Sequence, residues 1–148
     1  MGKFSAGVAA TACQACPAGQ YSNVTGADSY AACASCPEHA SASAGAASLD
    51  ECRCNPGYEG KDGDACTPCP YGSYYGYNDT EKASVCVQCP ANSNTEGNTA
   101  SVSLSACQCD ASYTGGDGGK CVGCEPGKYK GVTGSDQCVT CPLNTHSP

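Results

Sequence analysis

Cysteine carries the chemical signal of this chain, at 16 of 148 residues. Cys-x-x-Cys pairs stand at Cys13/Cys16, Cys33/Cys36, Cys66/Cys69, Cys86/Cys89, Cys121/Cys124 and Cys138/Cys141. Cys-x-Cys pairs stand at Cys52/Cys54 and Cys107/Cys109. Three chemistries use such pairs. A four-thiolate zinc site fits the spacing Cys13-x2-Cys16-x16-Cys33-x2-Cys36 and its copy from Cys66 to Cys89. It leaves Cys52, Cys54 and their copies without a role, and it needs thiolates that an oxidising compartment does not maintain. Thiol redox catalysis wants one activated pair at a helix start on a βαβ scaffold, and many pairs with no such scaffold read as structural. Disulfide bonding is the remaining chemistry and the expected one.

No other constellation competes. His39 and His146 fall at different places in the repeat, with no acid or nucleophile at motif spacing, and read as solvated loop residues. Asp50, Glu51, Asp62 and Asp64 offer hard oxygens to calcium. The copy of Asp50-Glu51 is Ser105-Ala106, however, and Asp62 and Asp117 recur inside Gly-rich turns, where aspartate bonds its own backbone. The expectation is therefore no enzyme, no catalytic residue, no metal and no cofactor.

The elements that position these cysteines are short and repeated. The series Cys13 to Cys54 comes round again as Cys66 to Cys109, and a third time from Cys121. The period is close to 53 residues (Cys13 to Cys66), which signals a linear array of modules. We divide the chain into 1–12, the tail of a preceding repeat; 13–65 and 66–120, two full repeats; and 121–148, a truncated third. Residues 2–12 begin with Gly2-Lys3-Phe4, which matches Gly19-Gln20-Tyr21, Gly72-Ser73-Tyr74 and Gly127-Lys128-Tyr129. That match accounts for the opening better than a signal peptide with Ala10-Thr11-Ala12 as its cleavage site, because the apolar run is short and broken.

Three loops make up a repeat. The first is Cys-Pro-x-Gly-x-Tyr, a turn that sends its tyrosine back over the disulfides. The second is rich in Ser, Ala and Asn and holds one aliphatic plug, Leu49 or Leu104. The third runs from Cys54 to Cys66 through Gly57, Tyr58, Gly60 and Asp62-Gly63, and from Cys109 to Cys121 through Ser112, Tyr113, Gly115 and Asp117-Gly118. Helical periodicity is absent, so short β-hairpins are the only regular structure expected.

Valine, leucine, methionine and phenylalanine number 13 and there is no tryptophan, too few to build a core for this length. Cross-links must hold the fold. Cysteine at this density marks a disulfide scaffold in an oxidising compartment, and the sequons Asn23-Val24-Thr25 and Asn78-Asp79-Thr80 agree with it. The net charge of −7 comes from scattered acids with no basic stripe, which argues against nucleic acid as a partner. No apolar run reaches membrane-spanning length.

The third loop with its Cys-x-Cys resembles the tail of an EGF-like module, and the whole period is similar to the cysteine-rich repeat called ephrin-receptor-like. The carrying motifs are Cys69-Pro70-Tyr71-Gly72-Ser73-Tyr74, then Cys89-Pro90-Ala91-Asn92-Ser93, then Cys52-Arg53-Cys54-Asn55-Pro56-Gly57-Tyr58. The first copy departs at His39-Ala40 and the second at Ser112. The resemblance implies a small, disulfide-rich fold of tandem EGF-like/ephrin-receptor-like repeats, mostly loop, in an elongated rod. An EGF-type order implies bonds Cys16–Cys36, Cys33–Cys52, Cys54–Cys66, Cys69–Cys89, Cys86–Cys107, Cys109–Cys121 and Cys124–Cys141. Cys13 and Cys138 then bond outside the chain or to a neighbouring chain.

The expected role is structural: an extracellular, secreted or cell-surface glycoprotein segment serving as stalk, spacer or filament subunit. Its partners are further copies of the repeat, in the parent chain or neighbouring subunits, and N-linked glycans at Asn23 and Asn78, with no membrane insertion. Two alternatives remain. One is a receptor-type binding module using an exposed patch of Tyr71, Tyr74, Tyr75 and Tyr77, and the other is a structural zinc-binding repeat with four cysteine ligands.

Overall fold

The structure, a computed structural model, describes residues 1–5 and 12–143. Ala10 and Thr11 of the tripeptide 10–12, together with Asn144, Thr145 and His146, lie outside the described residues. The fold is small and disulfide-rich, made of short antiparallel strand pairs joined by turns. It contains three 3-10 turns that the sequence pattern did not signal, Tyr30–Ala32, Leu49–Glu51 and Leu104–Ala106.

The smallest repeating element is a disulfide-closed loop, here called a cell. Seven are closed, by Cys16–Cys33, Cys36–Cys52, Cys54–Cys66, Cys69–Cys86, Cys89–Cys107, Cys109–Cys121 and Cys124–Cys138. Three consecutive cells fill one 53-residue period. Every bond follows one rule: the second cysteine of a pair joins the first cysteine of the next pair.

Each cell opens with the same turn. The residue three beyond the opening cysteine has positive φ: Gly19 (+80°), His39 (+58°), Gly57 (+94°), Gly72 (+77°), Asn92 (+62°), Ser112 (+69°) and Gly127 (+82°). The next N–H donates back to the carbonyl three residues earlier, as Gln20 to Pro17, Tyr58 to Asn55 or Lys128 to Glu125, at 3.0–3.2 Å. Positive φ at the third position of a four-residue turn is the type II geometry, and glycine, asparagine and a few polar residues tolerate it. His39 and Ser112, departures from the motif, thus occupy the same backbone position as Asn92 and the glycines.

After the turn the strand pairs with the segment closing the cell: Gln20↔Ser35 and Tyr21↔Ala34, Ala40↔Cys54, Ser93↔Cys109, Tyr113↔Gly123, Lys128↔Thr140. In three cells a 3-10 turn folds the closing cysteine inward. The N–H groups of Cys33, Cys52 and Cys107 donate to Tyr30, Leu49 and Leu104, at 2.9–3.0 Å.

The described residues divide into two compact units, Met1–Thr67 with Tyr77–Val85, and Pro68–Gly76 with Cys86–Pro148. In the first unit, Phe4 packs with Cys16 and Cys33, and Tyr21 packs with Cys36 and Cys52. Each aromatic therefore lies forward, on the disulfide of the following cell, rather than back on its own. Parallel bridges Phe4↔Ala27 and Tyr21↔Ala46 accompany them, and the N–H groups of Gly2 and Gly19 donate to Ser22 and Ala42 at 2.7 and 2.8 Å.

The second unit repeats the scheme, with Gly72 N–H on the Thr95 hydroxyl at 3.0 Å, Tyr75 N–H on Ser101, and Ser112 N–H on Lys130. The position six beyond the opening cysteine is buried as Ser22, Ala42, Thr95 and Lys130. Lys130 is 5% exposed and donates its ammonium to the carbonyls of Cys109 (3.0 Å) and Gly134 (2.5 Å). A buried charge is tolerable only with such partners. Leu49 and Leu104 remain about 40% exposed, half-covered by the Gly63 and Gly118 loops rather than plugged into a core.

Candidate functional site

The cysteines come first, because the structure changes their assignment. Bonds Cys54–Cys66 and Cys109–Cys121 are present. The interlaced bonds Cys16–Cys36, Cys33–Cys52, Cys69–Cys89, Cys86–Cys107 and Cys124–Cys141 are replaced by bonds between sequence neighbours. The reason lies in the hairpin. Cys36 donates its N–H to Gly19, Cys89 to Gly72 and Cys141 to Gly127, each at 2.9 Å. These bonds hold the second cysteine of each pair at the far end of its hairpin, where it opens the next cell. Cys138 is consequently bonded, and the two cysteines without a disulfide are Cys13, exposed, and Cys141, half-buried. The four-thiolate zinc set is consumed, since Cys16 and Cys33 are bonded to each other and Cys36 to Cys52. Among the described residues no group of three or more His, Cys, Asp or Glu is arranged to hold a metal.

Tyr71, Tyr74 and Tyr75 belong to the second unit and Tyr77 to the first. Tyr71 sits in the opening turn and is 55% exposed. Tyr74, Tyr75 and Tyr77 lie on the strand Ser73–Asn78 and are half-buried. Period-2 alternation sets Tyr75 and Tyr77 on one face and Tyr74 on the other. Tyr77 is committed elsewhere. Its hydroxyl donates to Asp62 Oδ2 at 2.7 Å, and the Arg53 guanidinium lies 4.8 Å over its ring. Arg53 Nε is 3.6 Å from the same carboxylate oxygen.

Asp62, expected to bond its own backbone, is therefore the centre of a clasp. The hairpin that carries Tyr77 has brought in a better donor. Asp62 N–H also donates to Lys82 on that hairpin, at 3.1 Å, and Ala83↔Lys61 and Ser84↔Gly60 pair the strands. The hydrogen bond to Asp62 raises the Tyr77 phenol above its ordinary range, with burial and the charge of Asp62 adding and Arg53 opposing. The clasp has no copy in the second repeat, where Gln108 stands for Arg53 and Asp117 is exposed.

Beside the clasp the first unit carries a groove of about 900 Å³. Its lining combines the small residues Ala18, Ser41, Ala42 and Ser43 with the charged Asp50, Glu51, Arg53, Lys61, Asp62, Glu81 and Lys82. The chain thus brings Asp50, Glu51 and Asp62 to one groove, as a calcium site would need, but interleaves three cations among them. Sequence reasoning missed this groove because its lining comes from five segments spread between Ala18 and Lys82, with no motif joining them.

Both sequons lie in hairpin loops of the first unit. Asn23 is exposed, and Asn78 is half-buried at a hairpin tip, its Oδ1 accepting the N–H groups of Thr80 (3.0 Å) and Glu81 (3.2 Å). His39 stacks on Tyr58 at 4.3 Å and closes no catalytic set.

No family model matches the chain. In sequence it is similar to cysteine repeat modular protein A of Toxoplasma gondii, 43% identical over 83 residues, which is 53% of this chain and 3% of that protein. Cysteine repeat modular protein B of the same organism is 38% identical over 125 residues, 80% of this chain and 2% of that protein. Human ephrin type-A receptor 1 is 39% identical over 66 residues, 44% of this chain and 6% of the receptor. The chain spans only 2–6% of the length of these relatives. These likenesses and the seven disulfides point the same way. The chain is an extracellular-type module of disulfide-stabilised cysteine repeats. No described helix is long and apolar enough to cross a membrane.

Proposed function

We propose that this segment is a non-catalytic mechanical spacer of a secreted or cell-surface glycoprotein, a length of stalk or filament subunit. Its partners are further copies of the repeat, and Asn23 and Asn78 carry N-linked sugar. The observation that carries the reading is the strictly local closure of every cell, over sequence separations of 12 to 18 residues. A load along the chain then meets a covalent bond at each cell, so no loop lengthens while its disulfide stands. A receptor-type role for Tyr71, Tyr74, Tyr75 and Tyr77 has less support, because the four divide between faces and Tyr77 is held by Asp62.

Single-molecule stretching of the chain between terminal handles tests the reading. Without reductant the trace should show no loop-sized extension. With reductant, seven steps should appear, each roughly 35–60 Å, the extended length of a 12–18-residue loop less the 5.4–5.7 Å already spanned by its disulfide. Loop-sized lengthening in oxidising buffer would sink the spacer role.

A further inference from the structure

The groove of the first unit has a chemistry that the spacer role does not use. Four acids, Asp50, Glu51, Asp62 and Glu81, share it with three bases, Arg53, Lys61 and Lys82. A cation or an anion placed there meets repulsion as well as attraction. A neutral polyhydroxylated ligand does not, since each hydroxyl both donates and accepts and finds a partner of either kind. The rim supplies such a ligand with an attachment point. The sequon Asn78-Asp79-Thr80 immediately precedes Glu81 and Lys82, which line the groove. That hairpin tip is fixed at the rim by two bonds to Asp62, from the Tyr77 hydroxyl and to the Lys82 carbonyl. The Asn78 side chain is itself oriented by Thr80 and Glu81.

We propose that the groove is the docking site of the N-glycan on Asn78 of the same chain, its innermost neutral sugars lying among Ser41, Ser43, Asp50 and Lys61 of the lining. The inference rests on the glycosylation proposed above. The covalent step is ordinary transfer: the Asn78 amide nitrogen displaces a lipid diphosphate from the first sugar of a lipid-linked oligosaccharide. An N-glycosidic bond forms and the lipid diphosphate leaves with the proton. Tethering then makes docking intramolecular, at an effective concentration in the millimolar range, so weak hydroxyl contacts suffice. Asn23 is the internal control, because its exposed loop adds no residue to the groove.

The experiment is a time course of endoglycosidase release from the folded, non-reduced chain secreted by a glycosylating host, followed site by site by mass spectrometry. The Asn78 glycan should leave about tenfold more slowly than the Asn23 glycan, the factor that docking worth about 1.4 kcal/mol confers. The double variant Asp50→Ala/Lys61→Ala leaves the sequon, the backbone pairing of residue 61 with Ala83 and the side chains of Arg53, Asp62 and Tyr77 in place. With seven disulfides verified by mass, it should bring the two rates within twofold. Equal rates in the unaltered chain, or a difference that survives the double variant, overturns docking. Asn78 found unmodified beside a modified Asn23 also overturns it while leaving the glycoprotein reading standing. Both sites unmodified would bring down that reading itself.

Discussion

Positive φ makes a sharp demand on a residue, and two glycines of the second unit, Gly127 in an opening turn and Gly118 in the loop against Leu104, separate backbone strain from overpacking. Gly127 has φ +82° and a Cβ built there meets no atom within 4 Å. Gly118 has φ +70°, but its Cβ would lie 2.8 Å from the Leu104 carbonyl oxygen and 2.9 Å from Leu104 Cγ. Gly127→Ala therefore meets only the left-handed backbone penalty of about 1–2 kcal/mol. The lost flexibility of the unfolded chain offsets about 0.4–1 kcal/mol of it, leaving about 1 kcal/mol. Gly118→Ala adds overpacking of about 1–3 kcal/mol against backbone that has nowhere to go, so its cost is about 2–4 kcal/mol.

Native-state hydrogen exchange resolves the two, because each turn has its own reporter. The Cys141 N–H bonds to Gly127, and the Cys107 N–H closes the 3-10 turn at Leu104. Protection at Cys141 should fall about fivefold in Gly127→Ala, and protection at Cys107 by about thirtyfold or more in Gly118→Ala. Gly127→Asn should recover most of the first loss, since Asn92 holds the same turn at φ +62°. If Gly127→Ala costs as much as Gly118→Ala, or asparagine does no better than alanine, positive φ in a shared turn is not what sets the cost.

Two further expectations follow from the bonds. Intact mass should show the oxidised chain 14 hydrogens lighter than the reduced one, two for each of seven disulfides, with Cys13 and Cys141 alone alkylated under non-reducing denaturation. A peptide joining Cys16 to Cys36 would refute the pairing rule. Tyr77 should ionise after the bulk of the tyrosines in a difference titration against Tyr77→Phe. Because its folded pKa is raised, the clasp is fully stabilising below the ordinary phenol range near 10 and is lost as pH rises through the folded value. A difference curve that coincides with the bulk titration would refute the Asp62 bond.

Class and period were legible in the chain because cysteine spacing and the scarcity of large apolar residues are properties of composition and order alone. The shared turn was half legible. Gly19, Gly72 and Gly127 declare a position needing positive φ, but His39, Asn92 and Ser112 hide it, since their side chains permit the conformation without advertising it. The clasp was not legible at all. Arg53, Asp62 and Tyr77 are ordinary surface residues until a hairpin lays Tyr77 over the Asp-Gly loop, and no second copy exists to draw attention to them. Tyr21 covers a disulfide, but that of the following cell, with Cys36 and Cys52, while Tyr58 stacks on His39 and Tyr129 is exposed.

The pairing of the cysteines was the least legible feature, and a magnitude shows why. Cys16 could close on Cys33, 17 residues away, or on Cys36, 20 residues away. The loop-closure entropies differ by only about 0.15 kcal/mol on the logarithmic law. Spacing therefore does not choose between the local and the interlaced order. The choice lies in two backbone bonds, each worth about 0.5–1.5 kcal/mol: Cys33 N–H to Tyr30, which turns Cys33 inward, and Cys36 N–H to Gly19, which holds Cys36 outward. The first belongs to the local 3-10 turn Tyr30–Ala32, and the second to the hairpin that the turn at Gly19 opens, with Gln20↔Ser35 and Tyr21↔Ala34 in register. In the first cell the backbone thus presents Cys33 and Cys36 to opposite sides of the choice, which the spacing of the cysteines does not encode.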